Sequence, residues 1–138
     1  MLKNSKNVLF IGLGSIGQRH YRNFRQIVKN CNFFALRKIK KSPELSKNNI
    51  VKRTKLDLKK HNIIEISEAT SLKKKFDVVF ICNPSSLHIK YALKFAKQGT
   101  ALFVEKPLSH NLFGLKKLKK KIKKNKVICA VGYQLRYH

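Results

Sequence analysis

Val8-Leu9-Phe10-Ile11, followed at once by Gly12-Leu13-Gly14-Ser15-Ile16-Gly17, is the stretch that decides the fold. Four apolar residues in a row read as a strand buried on both faces. The glycines then interrupt it in the spacing G-x-G-x-x-G, and an amphipathic helical pattern opens at about Ser15. Each glycine has its own task in such a turn. Gly12 permits the tight bend, Gly14 leaves the backbone bare where a pyrophosphate must approach, and Gly17 lets the helix pack close to the strand. The first helical turn, at Ser15 and Ile16, offers free N–H groups and a positive dipole end to phosphate oxygens. The implied ligand is a dinucleotide.

Working outward, the chain alternates short apolar runs with helical patterns, which implies βαβ units and a parallel sheet. The first helix is predicted over 15–29, with Ile16, Phe24, Ile27 and Val28 at helical spacing. Further strands are predicted at 32–36, 63–66, 77–82, 101–104 and 127–131. Helices are predicted over 67–75, 86–98, which Gly99 closes, and 111–124, which carries Leu115, Leu118 and Ile122 on one stripe. The polar stretch 38–62 reads as a loop with at most a short helix near Leu56. These elements make one doubly wound α/β unit, a Rossmann sheet of expected strand order 3-2-1-4-5-6, in a single domain over 1–138.

Composition narrows the function classes. The chain has 138 residues with 43% hydrophobic content, enough for one ordinary core. No apolar run is long enough to span a bilayer, and the Gly-broken start does not read as a signal peptide, so a cytoplasmic protein without membrane contact is expected. Three cysteines in no C-x-x-C pair argue against a disulfide framework, and no His or Cys pair has metal-ligand spacing, so no metal is expected. Lys and Arg number 32 against 6 Asp and Glu, a net charge of +26. The lysines are spread along the chain and read as a solvated surface. A nucleic-acid-associated protein is the reading this charge leaves as an alternative.

The end of the second strand bears on cofactor choice. An acidic residue about 20 positions after the glycines would bind the ribose 2′-OH of NAD. Here the sequence reads Leu36-Arg37-Lys38, and a guanidinium can pair a 2′-phosphate bidentately. NADP is therefore expected, with Arg37 as the main ligand and Lys38 assisting, and NAD as the alternative. The residues of chemical interest all follow strands, so a parallel sheet would place them on one edge.

Strand–G-x-G-x-x-G, then Asn83-Pro84-Ser85-Ser86-Leu87-His88, then Glu105-Lys106-Pro107, then Gly132-Tyr133-Gln134-Leu135-Arg136-Tyr137-His138 resembles the Gfo/Idh/MocA oxidoreductases across the whole chain. The resemblance implies that Lys106 reaches the reacting hydroxyl or carbonyl beside the nicotinamide. It implies that Glu105 helps hold the cofactor and that Asn83, Pro84, Ser86 and His88 line it. Tyr133, Gln134 and Arg136 would approach the nicotinamide or the substrate. It implies hydride transfer to or from a sugar, sugar-derivative or cyclitol, and a second domain carrying most of the substrate pocket and a further catalytic histidine. The chain stops where that domain would begin. It is therefore expected to bind dinucleotide and turn over little alone, with self-association possible through the uncovered face. A non-catalytic dinucleotide-binding module, or a gene fragment, is the alternative.

Overall fold

A computed structural model describes residues 5–46, 48 and 50–133. The elements run β1 (Lys6–Ile11), α1 (Ser15–Ile27), β2 (Cys31–Leu36), β3 (Pro43–Leu45), β4 (Val51–Lys55), β5 (Ile63–Glu65), α2 (Glu68–Lys73), β6 (Val78–Ile81), α3 (His88–Phe95), β7 (Ala101–Val104), α4 (Leu115–Lys124) and β8 (Cys129–Val131). A turn of 3₁₀ helix, Ser85–Leu87, leads into α3. Six strands form one sheet in the order β5-β2-β1-β6-β7-β8, and every pairing is parallel. This is the 3-2-1-4-5-6 order expected of the doubly wound unit.

The central strands are apolar throughout because helices cover both faces. Successive residues point to opposite sides. Val8 and Phe10 pack with Tyr21 of α1, Phe33, Ile63 and Phe80 on one face. Leu9 and Ile11 pack with Ile89 and Phe95 of α3, Val79, Leu102 and Leu118 of α4 on the other. The Phe10 and Phe80 rings stack with centroids 4.7 Å apart.

Three details differ from the sequence reading. The 38–62 stretch contains an antiparallel hairpin, β3 with β4, rather than a loop with a short helix. It is seated by tertiary contacts. The buried Gln18 side chain of α1 donates to the Leu13 and Pro43 carbonyls, at 3.1 and 2.9 Å, and accepts from Leu45 N at 2.9 Å. Ile27, placed on the buried stripe of α1, is 80% exposed. The buried stripe is Gly17, Gln18 and Tyr21, and the helix ends at Ile27. Finally, α4 starts at Leu115 rather than Asn111. The Asn111 side chain accepts from Phe113 N, and Gly114 is left-handed with φ 80°, so the 111–114 backbone turns instead of helix-forming.

The six acidic residues all have partners. Glu44 pairs with Lys52 and His61, Glu65 with Arg37, Glu68 with Lys94, Asp77 with Lys6, and Glu105 with His20. Asp57 accepts from the backbone N–H of Lys59.

Candidate functional site

Because every strand of the sheet is parallel, the segments that follow β1, β2, β6, β7 and β8 leave from the same edge. One extra ladder bond beyond each strand knits them there. Gly12 N donates to Leu36 O, Cys82 N to Ile11 O, Glu105 N to Ile81 O and Gly132 N to Val104 O, all at 2.9 to 3.0 Å. Gln134 and Arg136 lie outside the described residues. Tyr133 is described and is 55% exposed at this edge.

The glycine turn separates into two kinds of position. Gly12 has φ 89°, and a Cβ there would lie 2.9 Å from Asn83 N and Cys82 O. A Cβ on Gly17 would overlap the Gly12 carbonyl oxygen. The fold itself therefore requires both. Gly14 is different. Its φ is −69°, open to any residue, and a Cβ there would meet nothing within 4 Å. Nothing among the described residues demands a glycine at that point, whereas a ligand resting on the backbone would. Gly14 is also the N-cap of α1 with no side-chain cap, and no acidic residue sits in the first turn. The helix presents its orphan N–H groups to open space at Ser15, which is exposed. Ile16 instead packs against the core beside Val8 and Phe10.

Across from this turn, Asn83 directly abuts Gly12. Its side-chain Oδ1 is buried with no partner among the described residues. Pro84 and Ser86 are exposed on the same loop. His88 is 1% exposed, and both its ring nitrogens face carbonyls: Nε2 that of Asn83 at 2.7 Å and Nδ1 that of Pro107 at 2.8 Å. A neutral imidazole has one N–H, so both contacts are donated together only by a doubly protonated ring. Geometrically, His88 clamps the loop after β6 to the loop after β7. Its packed position suits the reading of a side chain that positions loops rather than one that meets a ligand.

Glu105-Lys106-Pro107 is held from a second side by a residue the sequence reading passed over. His20 of α1, wedged between Phe80 and Phe103, bonds the Glu105 carboxylate through Nε2. Glu105 is 5% exposed and also accepts from Lys106 N at 3.2 Å. Gly132 lies against it, where a Cβ would come within 3.0 Å of Oε1. The carboxylate thus spends itself on the protein. The Lys106 side chain is exposed between these two fixed neighbours. The only sequence signal for His20 was indirect: Glu105 is the sole acid in the last third of a basic chain and had to find a partner. Burial, together with the Glu105 carboxylate, pushes the Cys82 thiol far above its ordinary range, which removes it as a nucleophile.

Arg37 and Lys38 diverge. Lys38 is exposed. Arg37 Nε donates to Glu65 Oε1 at 3.2 Å, and its Nη1 is buried without a partner among the described residues. A cleft of about 670 Å³ is lined by Arg37 and Glu65 and runs along β5 and Lys55–Lys59; the glycine turn is not part of its wall.

Comparison with known proteins agrees with this geometry. Residues 6–133 match the GFO_IDH_MocA family model, an oxidoreductase family with an NAD-binding Rossmann fold. The chain is 41% identical over 61 residues to scyllo-inositol 2-dehydrogenase (NAD(+)) of Bacillus subtilis, covering 44% of this chain and 18% of that one. It is 28% identical over 129 residues to myo-inositol 2-dehydrogenase of Thermotoga maritima, covering 92% and 36%. The structure of scyllo-inositol dehydrogenase from Lactobacillus casei, with bound cofactor NAD(H) and scyllo-inositol, superposes with a TM-score of 0.72 at 19% identity, covering 97% of this chain and 38% of that one. The last likeness is one of fold. The chain spans well under half the length of each of these relatives.

Proposed function

Because the chain belongs to the Gfo/Idh/MocA oxidoreductases, whose NAD-binding Rossmann fold it carries, we propose that its sheet edge holds a nicotinamide dinucleotide that takes hydride from the carbon bearing a hydroxyl, or gives it to a carbonyl carbon, of a sugar, sugar derivative or cyclitol. The observation that carries this is Gly14. It is the one glycine of the turn that the protein's own packing leaves unexplained, and a pyrophosphate against the Ser15 N–H and the open end of α1 explains it. The unpartnered Asn83 Oδ1 beside Gly12 is a second polar atom at the same edge that a ligand would satisfy.

When bound, the dinucleotide supplies the hydride acceptor or donor. The chain's own residues do the rest. Lys106 reaches toward the reacting oxygen. As an amine it takes the hydroxyl proton, and as an ammonium it stabilises an alkoxide. Glu105 and His20 fix the backbone on one side of Lys106, and His88 fixes it on the other. Glu105 therefore acts by holding Lys106 rather than by touching cofactor. Pro84 and Ser86 border the dinucleotide on the β6 side, and Tyr133 lies toward nicotinamide and substrate. Residues 1–138 act in this reading as the dinucleotide-binding domain, and polypeptide beyond them supplies the substrate pocket.

The test is a calorimetric and thermal-melt titration of the chain with NADH and NADPH. Saturating ligand at about 100 times Kd should stabilise the fold by about 2.7 kcal/mol. No heat and no melting shift with either cofactor would overturn the proposal.

A further inference from the structure

The end of β2 carries no acid, yet the fold brings one there from the neighbouring strand. β5 pairs with β2 so that Glu65 lies beside Ala35, and Arg37 follows two residues on. The two side chains meet at 3.2 Å. They differ sharply in what they show to solvent: the Arg37 side chain is 5% exposed and that of Glu65 is 34% exposed. A ligand arriving at this corner therefore meets a carboxylate, with the guanidinium behind it.

We infer that Glu65, held by Arg37, selects the dinucleotide without a 2′-phosphate, so that the chain prefers NAD(H) over NADP(H). The inference rests on the proposed dinucleotide site and adds to it the residue that discriminates. Two physical points carry it. A phosphate dianion is repelled by an exposed carboxylate, whereas ribose hydroxyls donate to one, the task that the acid after the second strand performs in NAD-binding sheets. Arg37, meanwhile, is not available as a fork. Its Nε is engaged by Glu65 and its side chain is 5% exposed, so a grip through Nε requires breaking the pair and a grip through the Nη edge requires drawing the guanidinium out from behind Glu65. Exposed Lys38 and Lys40 stand nearby on flexible stems and give a phosphate no fixed geometry. The sequence expectation of NADP, built on Arg37, took the arginine as free; the fold supplies its counter-charge.

The experiment compares dissociation constants for NADH and NADPH by calorimetry on the full chain, wild type and Glu65→Gln. Because the chain carries a net charge of +26, it should be run at about 0.15 M and about 0.5 M salt, where diffuse attraction of the more anionic NADPH is screened. The expected wild-type result is NADH tighter by about tenfold or more, with the ratio moving toward NADPH by about tenfold in Glu65→Gln. Gln keeps the size of a side chain that is one-third exposed, and its melting curve confirms the fold. Binding of both cofactors with a wild-type preference for NADPH, or a ratio that Glu65→Gln leaves unmoved, overturns this inference alone. Binding of neither overturns the dinucleotide site and this inference with it.

Discussion

Replacing Gly14 by alanine should separate folding from binding. Two small terms act on stability and oppose each other. Alanine at a compatible φ narrows the unfolded ensemble and stabilises by about 0.4–1 kcal/mol. Alanine at an N-cap is a poorer residue than glycine, by about 0.5–1 kcal/mol. With φ at −69° and no atom within 4 Å of the new Cβ, no steric term adds to these. The net change should stay within about 1 kcal/mol, a shift in melting temperature of a few degrees at most. Binding is another matter. The methyl occupies the space in which phosphate oxygens would reach the α1 amides. Losing one charge-assisted hydrogen bond costs about 1.5–3 kcal/mol. NADH affinity should therefore fall roughly tenfold to hundredfold. Paired melting and calorimetric titrations read both quantities on one sample. A Gly14→Ala chain that melts like wild type and binds NADH as tightly would refute the reasoning, because the bare backbone would then serve no ligand.

The companion change Gly17→Ala should behave in the opposite way: its Cβ would overlap the Gly12 carbonyl oxygen, so the fold should lose about 1–3 kcal/mol in a denaturant melt even without ligand. Lys106→Met should leave the melting curve within about 0.5 kcal/mol of wild type because the side chain is exposed, and should leave NADH binding within about threefold; a large stability loss would show that Lys106 is structural rather than poised for chemistry. Acid should unfold the chain through its paired carboxylates. The hydrogen bond from Lys94 holds the Glu68 carboxyl below its ordinary value of 4.5. A lowered native pKa gives stability that is full above that ordinary value and drains away as pH falls below it, so melting temperature should be flat near neutrality and drop below about pH 4.5. Glu68→Gln should flatten part of that drop.

Much of this molecule was legible because its signals are local. The run Val8–Ile11, the glycine spacing and the recurrence of short apolar segments specify a parallel sheet and its order, since each signal lies within a few residues and each agrees with the rest. The parallel sheet then gathers the loops at one edge without further information. What escaped was held in place by distant partners. β4, Val-Lys-Arg-Thr-Lys, carries little strand propensity of its own. The hairpin it belongs to is anchored by Gln18 along β3, and Tyr21 OH reaches across to His61 O at 2.5 Å just beyond it. Arg37 looked like a free cation because Glu65 lies 28 residues away along the chain. His20 looked like one more polar residue of α1 because Glu105 is 85 residues away. Charge pairing across a sheet has no period, and a single sequence does not reveal it.

Gln18 has a consequence for how this domain can change length. One amide group serves main-chain atoms on both sides of it, the Leu13 carbonyl inside the glycine turn and Pro43 and Leu45 at the two ends of β3. Leu45 pairs with Val51 at the end of the hairpin that leads into its connecting turn, so the amide holds the whole of this short strand. An insertion within β3 would shift the pairing and pull directly on the glycine turn. Length can therefore change without that pull only outside Pro43–Leu45, and the limit is set by a single side chain.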